Sequence, residues 1–154
     1  MGNICRSPTA EGVMLERVRG AGLTERIRID SAGTGDWHVG EAPDPRTISA
    51  AAQRGYDLSH LRARQFQTED FARFDLVLAM DRRNLVDLQH ICPPQYADRL
   101  HLMMRFATRH PVDVVPDPYT EGSTGFERTL DYCEDACDGV LAALRARLEA
   151  APRT

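Results

Sequence analysis

Apolar positions along the chain change their period several times, and each change marks an element. Ala10, Val13, Met14 and Val18 recur at helical spacing until Gly20 closes the stretch. Ser7 stands before them as an N-cap, with Pro8 at the first helical position, where its missing N–H costs nothing. A short strand is expected around Ile27 to Ile29. Asp44-Pro45 opens a second helix that stops near Gly55, and Thr68 with Asp70 and Phe71 marks a short helical turn. Leu76 to Met80 is a continuous apolar run, the pattern of a strand covered on both faces.

Asn84 to Ile91 suits another helix, which must end before Pro93-Pro94 because proline lacks the ladder N–H. Leu100 to Phe106 reads as a strand, and Ala107 to Gly125 as a long loop. A last helix keeps Leu130, Cys133, Cys137, Val140, Leu141, Leu144 and Leu148 on its core side. Strands alternating with helices predict an α/β fold, a single doubly wound domain over residues 1–154 with a parallel sheet. No internal repeat or low-complexity linker interrupts it.

Composition narrows the class. With 42% hydrophobic and 27% charged residues among 154, the chain is an ordinary globular sequence, long enough to bury one core. No apolar run approaches the roughly 20 residues that cross a bilayer, and no charged start leads into an apolar segment. A cytoplasmic location and no membrane partner are therefore expected. A formal charge of -4 argues against broad nucleic-acid binding, so any attraction for phosphate must be local. Cys5, Cys92, Cys133 and Cys137 lack the paired spacing of a zinc site, and Cys133 with Cys137 read as small core residues one helical turn apart.

The chemistry sits at the start. Met1-Gly2-Asn3-Ile4-Cys5-Arg6-Ser7-Pro8 resembles the C-x5-R-S-P signature of low-molecular-weight protein tyrosine phosphatases. Asp30-Ser31-Ala32-Gly33-Thr34, Ser59-His60, Ala63-Arg64-Gln65, Asp70-Phe71, Ala79-Met80-Asp81 with Asn84-Leu85, and Pro116-Asp117-Pro118-Tyr119 follow in that family's order and spacing. The resemblance implies hydrolysis of phosphotyrosine through a cysteinyl-phosphate intermediate, on a phosphotyrosine-containing protein or a small aryl phosphate. It implies neither metal nor organic cofactor. Oligomeric state is not legible.

Residue roles follow from that resemblance joined to phosphate chemistry. A dianion needs many converging N–H donors, which the loop Gly2, Asn3, Ile4, Cys5 and Ser7 supplies as it enters a helix N-terminus. Gly2 allows unusual dihedrals, and Arg6 offers a planar fork that lysine cannot reproduce. Asp117 is the candidate general acid, protonating the leaving phenolate and later activating water; Asp113 lacks the adjoining motif. Trp37 and Tyr119 form the walls of a slot for a flat ring, with Thr120 standing where many members carry a second aromatic. Ser31 and His60 are expected, with Asn3 and Ser7, in a supporting network that holds the loop.

The family's nucleophilic cysteine and its first strand, interior to a sheet of four, would fall before Met1. The expectation is thus an anion receptacle without its attacking sulfur, inactive in this form, with a native upstream segment of strand-forming residues ending in cysteine. Cys5 adjoins Arg6, which is the wrong place for in-line attack. Two alternatives stay open: an arsenate reductase of related fold, and a non-catalytic binder of phosphate or phosphopeptides.

Overall fold

A computed structural model describes residues 4–118 and 122–150. Its first helix, α1 (Arg6–Gly20), begins two residues earlier than the Ser7 cap suggests. Cys5 occupies the cap position, no side chain caps the first turn and no acidic residue lies in it, while Ser7 falls inside the helix. The first N–H groups of α1 thus lack the side-chain acceptor that helix starts usually acquire. By contrast Asp44 accepts from Arg46 N at the head of α2 (Pro45–Gln53), and Asp81 accepts from Asn84 N at the head of α4 (Arg82–Ile91). Gly55, at φ +88°, turns the chain out of α2 as only a residue without Cβ does readily.

The helical turn expected near Asp70 is α3 (Asp70–Arg73). The apolar run is β1 (Val77–Ala79), paired in parallel with β2 (Leu100–Leu102) in the register Val77 to Leu100 and Ala79 to Leu102. Between them run α4 and a 3-10 segment, Pro94–Arg99, which is the crossover a parallel pair requires. The strand expected over Leu100 to Phe106 stops at Leu102, because Met103–Phe106 coils into a 3-10 turn that buries both Met103 and Met104. A continuing strand would point one of those two away from the core. The last helix, α5 (Ser123–Ala150), is 28 residues long and packs against α1.

Two apolar clusters cover the sheet. Val13, Leu58, Leu130, Cys133 and Val140 belong to the larger one, and Phe71, Val77, Ala79, Leu88 and Leu100 to the smaller. Full burial of one such aliphatic side chain contributes about 1.5 to 3 kcal/mol. Where α5 meets the Met103–Phe106 turn the approach is close: a methyl group on Gly139 would overlap the carbonyl oxygen of Phe106.

Ile27 to Ile29, expected as a strand, is extended but joins no ladder among the described residues; the nearest pairing is a single parallel bridge from Gly33 to Gln65. Between this segment and β1 lies a cleft of about 740 Å³, floored by residues of α1 and α5. The physical reason for the lost strand is that its flank faces the cleft instead of a neighbour.

Candidate functional site

Arg6 is 95% buried, at 5% exposure, although arginine is almost never buried without partners. Its partners are Asp81, whose Oδ2 accepts from Nη1 at 2.7 Å, and the Val115 carbonyl, which accepts from the same nitrogen at 2.7 Å. Asp81 follows Met80 at the carboxyl end of β1, the place where parallel sheets present ligand sites. Burial pushes its carboxyl up, but hydrogen bonds from Asn84 N and Arg6 outweigh that and hold it below the ordinary value. It therefore stays ionised and fixes the guanidinium against the uncapped start of α1.

The long loop is sewn to the same spot. Val115 is fully buried, and its N–H donates to the Met80 carbonyl at 2.8 Å while its own carbonyl receives Arg6. Two residues further on stand Asp117, exposed, and Pro118, buried. The Asp117 carboxylate is near enough for its charge to add to the rise of the Cys5 thiol's pKa. Asp113 is engaged instead by Arg82, whose hydrogen bond keeps its carboxyl low and charged, a poor state for donating a proton.

The loop's upstream end is held by Asp135 of α5, whose side chain has no exposed surface. Its two oxygens accept from the N–H groups of Thr108 at 2.8 Å, Arg109 at 3.0 Å and His110 at 2.8 Å, and one meets His110 Nδ1 at 2.7 Å. Tyr132 packs edge-on against the His110 ring, 5.0 Å between centroids.

The four thiols are placed without ambiguity. Cys5 is buried, and desolvation pushes it up to about 11. Roughly one molecule in ten thousand would carry that thiolate at neutral pH. Cys133 feels the charge of Arg6 but is raised well above its ordinary value by complete burial, and Cys137 is pushed by burial to about 12. Cys92 caps the far end of α4 and donates to the Pro93 carbonyl. Among the described residues no three His, Cys, Asp or Glu side chains gather as a metal would need.

Of the residues singled out in the sequence, the structure gathers Arg6, Cys5, Ile4 and Asp117 around the head of α1, where the Ile4 carbonyl also accepts from Asp44 N at 2.8 Å. Ser7 faces the cleft. Ser31 donates from Oγ to Glu11 Oε1 at 2.6 Å, and burial raises that glutamate's pKa although the serine opposes it. His60 is exposed, 4.0 Å from Asp57. Trp37 is 61% exposed, its ring lying on Gly35, where any Cβ would run into the indole. Gly2, Asn3 and Tyr119 lie outside the described residues.

Sequence reasoning assigned no role to Asp81 or Asp135. For Asp81 a signal existed, an aspartate directly after a buried strand and three residues before Asn84. For Asp135 the signal was faint: one acid beside the apolar stripe of α5, with partners more than twenty residues upstream.

Comparison with known proteins agrees with this geometry. Residues 1–150 match the family model described as low molecular weight phosphotyrosine protein phosphatase. The chain is 46% identical over 152 residues to a low molecular weight protein-tyrosine-phosphatase from Streptomyces coelicolor, covering 96% of this chain and 92% of that one. It is 35% identical over 147 residues to the human low molecular weight phosphotyrosine protein phosphatase, covering 92% and 89%. A crystal structure of protein tyrosine phosphatase from Entamoeba histolytica, with Hepes in the active site, superposes with a TM-score of 0.93 at 39% identity, covering 96% of this chain and 94% of that one.

Proposed function

The chain belongs to the low molecular weight phosphotyrosine protein phosphatase family, and we propose that its site is built to hydrolyse the phosphate monoester of tyrosine in proteins or of small phenols. The reading is carried by one observation: a buried arginine at an uncapped helix start, tied through Val115 to the loop that bears Asp117. The free N–H groups of α1 and the Arg6 fork bind three phosphoryl oxygens, and the helix dipole adds to the attraction. Asp81 keeps Arg6 in place and ionised partners close by.

The chemistry divides into two balanced steps. A thiolate forms a bond to phosphorus as the bond to the phenolic oxygen breaks, and Asp117 gives its proton to the departing oxygen. Water then attacks the thiophosphate, loses a proton to Asp117 and releases inorganic phosphate with the thiolate restored. Trp37, with its indole exposed, is assigned an aromatic wall for the phenol ring. Tyr119 is assigned the opposite wall.

The family's C-x5-R spacing sets the attacking cysteine six positions ahead of Arg6. Cys5 is no substitute, being buried, protonated and adjacent to Arg6. The described residues are therefore assigned anion binding and proton transfer, with none of their four thiols as the nucleophile. Phosphorus NMR titration of inorganic phosphate together with p-nitrophenyl phosphate hydrolysis tests this. Saturable phosphate binding that vanishes in Arg6→Ala and falls sharply in Arg6→Lys is expected, with hydrolysis equal to the Arg6→Ala background. Binding indifferent to Arg6 would sink the site; strong Arg6-dependent hydrolysis would show that one of the described thiols is the nucleophile after all.

A further inference from the structure

The segment that carries Asp117 has both feet on one helix. It leaves the 3-10 turn Met103–Phe106 and runs on in sequence to Ser123, the first residue of α5. Asp135, about 18 Å further along the helix axis at 1.5 Å per residue, holds the other foot. It accepts from three successive N–H groups, those of Thr108, Arg109 and His110, and meets the His110 ring. A second tie lies one turn on. Asp138 accepts from both terminal nitrogens of Arg109 at 3.3 Å and from Arg17 Nε of α1 at 2.8 Å, so loop, α5 and α1 share one carboxylate.

Closing a loop needs no such arrangement, since an apolar contact closes one without regard to direction. Hydrogen bonds are directional, and several from one carboxylate to consecutive peptide groups fix the course on which the chain leaves His110. Beyond that point Val112 N–H folds back on the His110 carbonyl at 2.9 Å, and Val115 N–H reaches the Met80 carbonyl. The Asp135 clamp and Val115 are thus two fixed points upstream of the acid. The same helix is also bound to the phosphate seat: α1, with Arg6 at its head, packs along α5, and Cys137 Sγ donates to the Ala10 carbonyl at 3.6 Å. From Arg6 through α1, α5 and Asp135 to the loop, every link is a packed or hydrogen-bonded contact.

We propose that Asp135, seconded by Asp138, is a positioning residue for the reaction: it sets where the Asp117 carboxylate stands relative to an anion held by Arg6. The inference rests on the function proposed above. Asp135 moves no proton itself and acts through the loop's backbone. Its importance follows from the tolerance of proton transfer, where a group displaced by about 1 Å loses on the order of a hundredfold in rate. With the clamp cut, the phosphate seat built on Arg6 and α1 stays whole. What is lost is the register of the acid against it.

The test is carbon-13 NMR of aspartate-labelled protein titrated with inorganic phosphate. The Asp117 carboxyl carbon, identified by its absence in Asp117→Asn, should shift as phosphate saturates the seat. In Asp135→Asn that shift should fall to about half or less, while the phosphate Kd stays within about twofold of the parent. An aspartate that merely stabilised the fold would lower the melting temperature and leave the shift of the folded protein untouched. A shift retained in full by Asp135→Asn therefore overturns the proposal. If that variant does not fold, Asp138→Asn takes its place: the side chain is 41% exposed, a smaller loss of the shift is expected, and full retention overturns the proposal in the same way. Phosphate that fails to bind, or that binds without moving Asp117 in the parent, sinks the proposed function itself and this inference with it. Binding that moves Asp117 equally in parent and variant sinks the positioning role alone.

Discussion

Asp135 shows how one side chain can organise a stretch that the chain's periodicity leaves blank. Burial alone would raise its pKa, but N–H groups of Thr108, Arg109 and His110 with the His110 ring outweigh it and bring the value from 3.8 to about 2. A folded-state pKa below the unfolded one means that the carboxylate stabilises the fold above about pH 4, and that this contribution disappears as pH falls through about 2. The shift corresponds to about 2 kcal/mol. Urea unfolding of Asp135→Asn should therefore show about 2 kcal/mol less stability at neutral pH, and a flatter loss than the parent between about pH 5 and 2. Equal pH slopes in the two proteins would remove the anchoring role. Nothing local in the sequence distinguishes this aspartate from Asp131 and Asp138, less buried acids on the same helix that pair with arginines, since its partners come from another segment.

Among the elements, the helices were the most legible, because each carries a cap or a stop in its own residues. Asp44-Pro45 opens α2 and Gly55 ends it; Pro93 ends α4; the apolar stripe from Leu130 to Val140 runs on the buried side of α5. Ser7 misled, because the serine-proline pair is a good cap by propensity, whereas the helix starts at Arg6 with no side-chain cap at all. The strands were legible as apolar runs but not in extent. Leu100 to Phe106 is cut short by consecutive buried methionines, and Ile27 to Ile29 depends on a neighbour on its cleft side. Packing between elements was invisible in the sequence, and Gly139 is the sharpest case. Ala is the better helix former by about 1 kcal/mol, yet the methyl would collide with the Phe106 carbonyl, a backbone atom that cannot swing aside. Gly139→Ala should lower stability by about 1 to 2 kcal/mol, within the usual cost of overpacking, as read by denaturant midpoint at unchanged slope. Increased stability would mean that α5 is free to shift at this contact.

Seen entire, the molecule is held on its far side by charge as well as by its core. Glu134 of α5 accepts from Tyr56 Oη at 2.9 Å, from Arg17 of α1 at 3.4 Å and from Arg54 just past α2, and Arg54 also grips Glu127 and Asp131. Isolated surface pairs contribute little, but a half-buried network with a shared acceptor ties three helices into one geometry. Glu134→Gln should cost about 1 kcal/mol in dilute buffer, and less in 1 M salt, where screening acts within about 3 Å. A salt-independent loss would point to packing as its source. On the opposite side, Arg6 is wedged between the head of α4 and the Asp117 loop through a single nitrogen. An anion that drew that nitrogen off the Val115 carbonyl would also release the loop's hold on Arg6, while the Val115 N–H bond to Met80, the Asp113 pair with Arg82 and the Asp135 anchor stay in place. Occupation of the proposed anion seat and release of one hold on the Asp117 segment would thus be a single mechanical event.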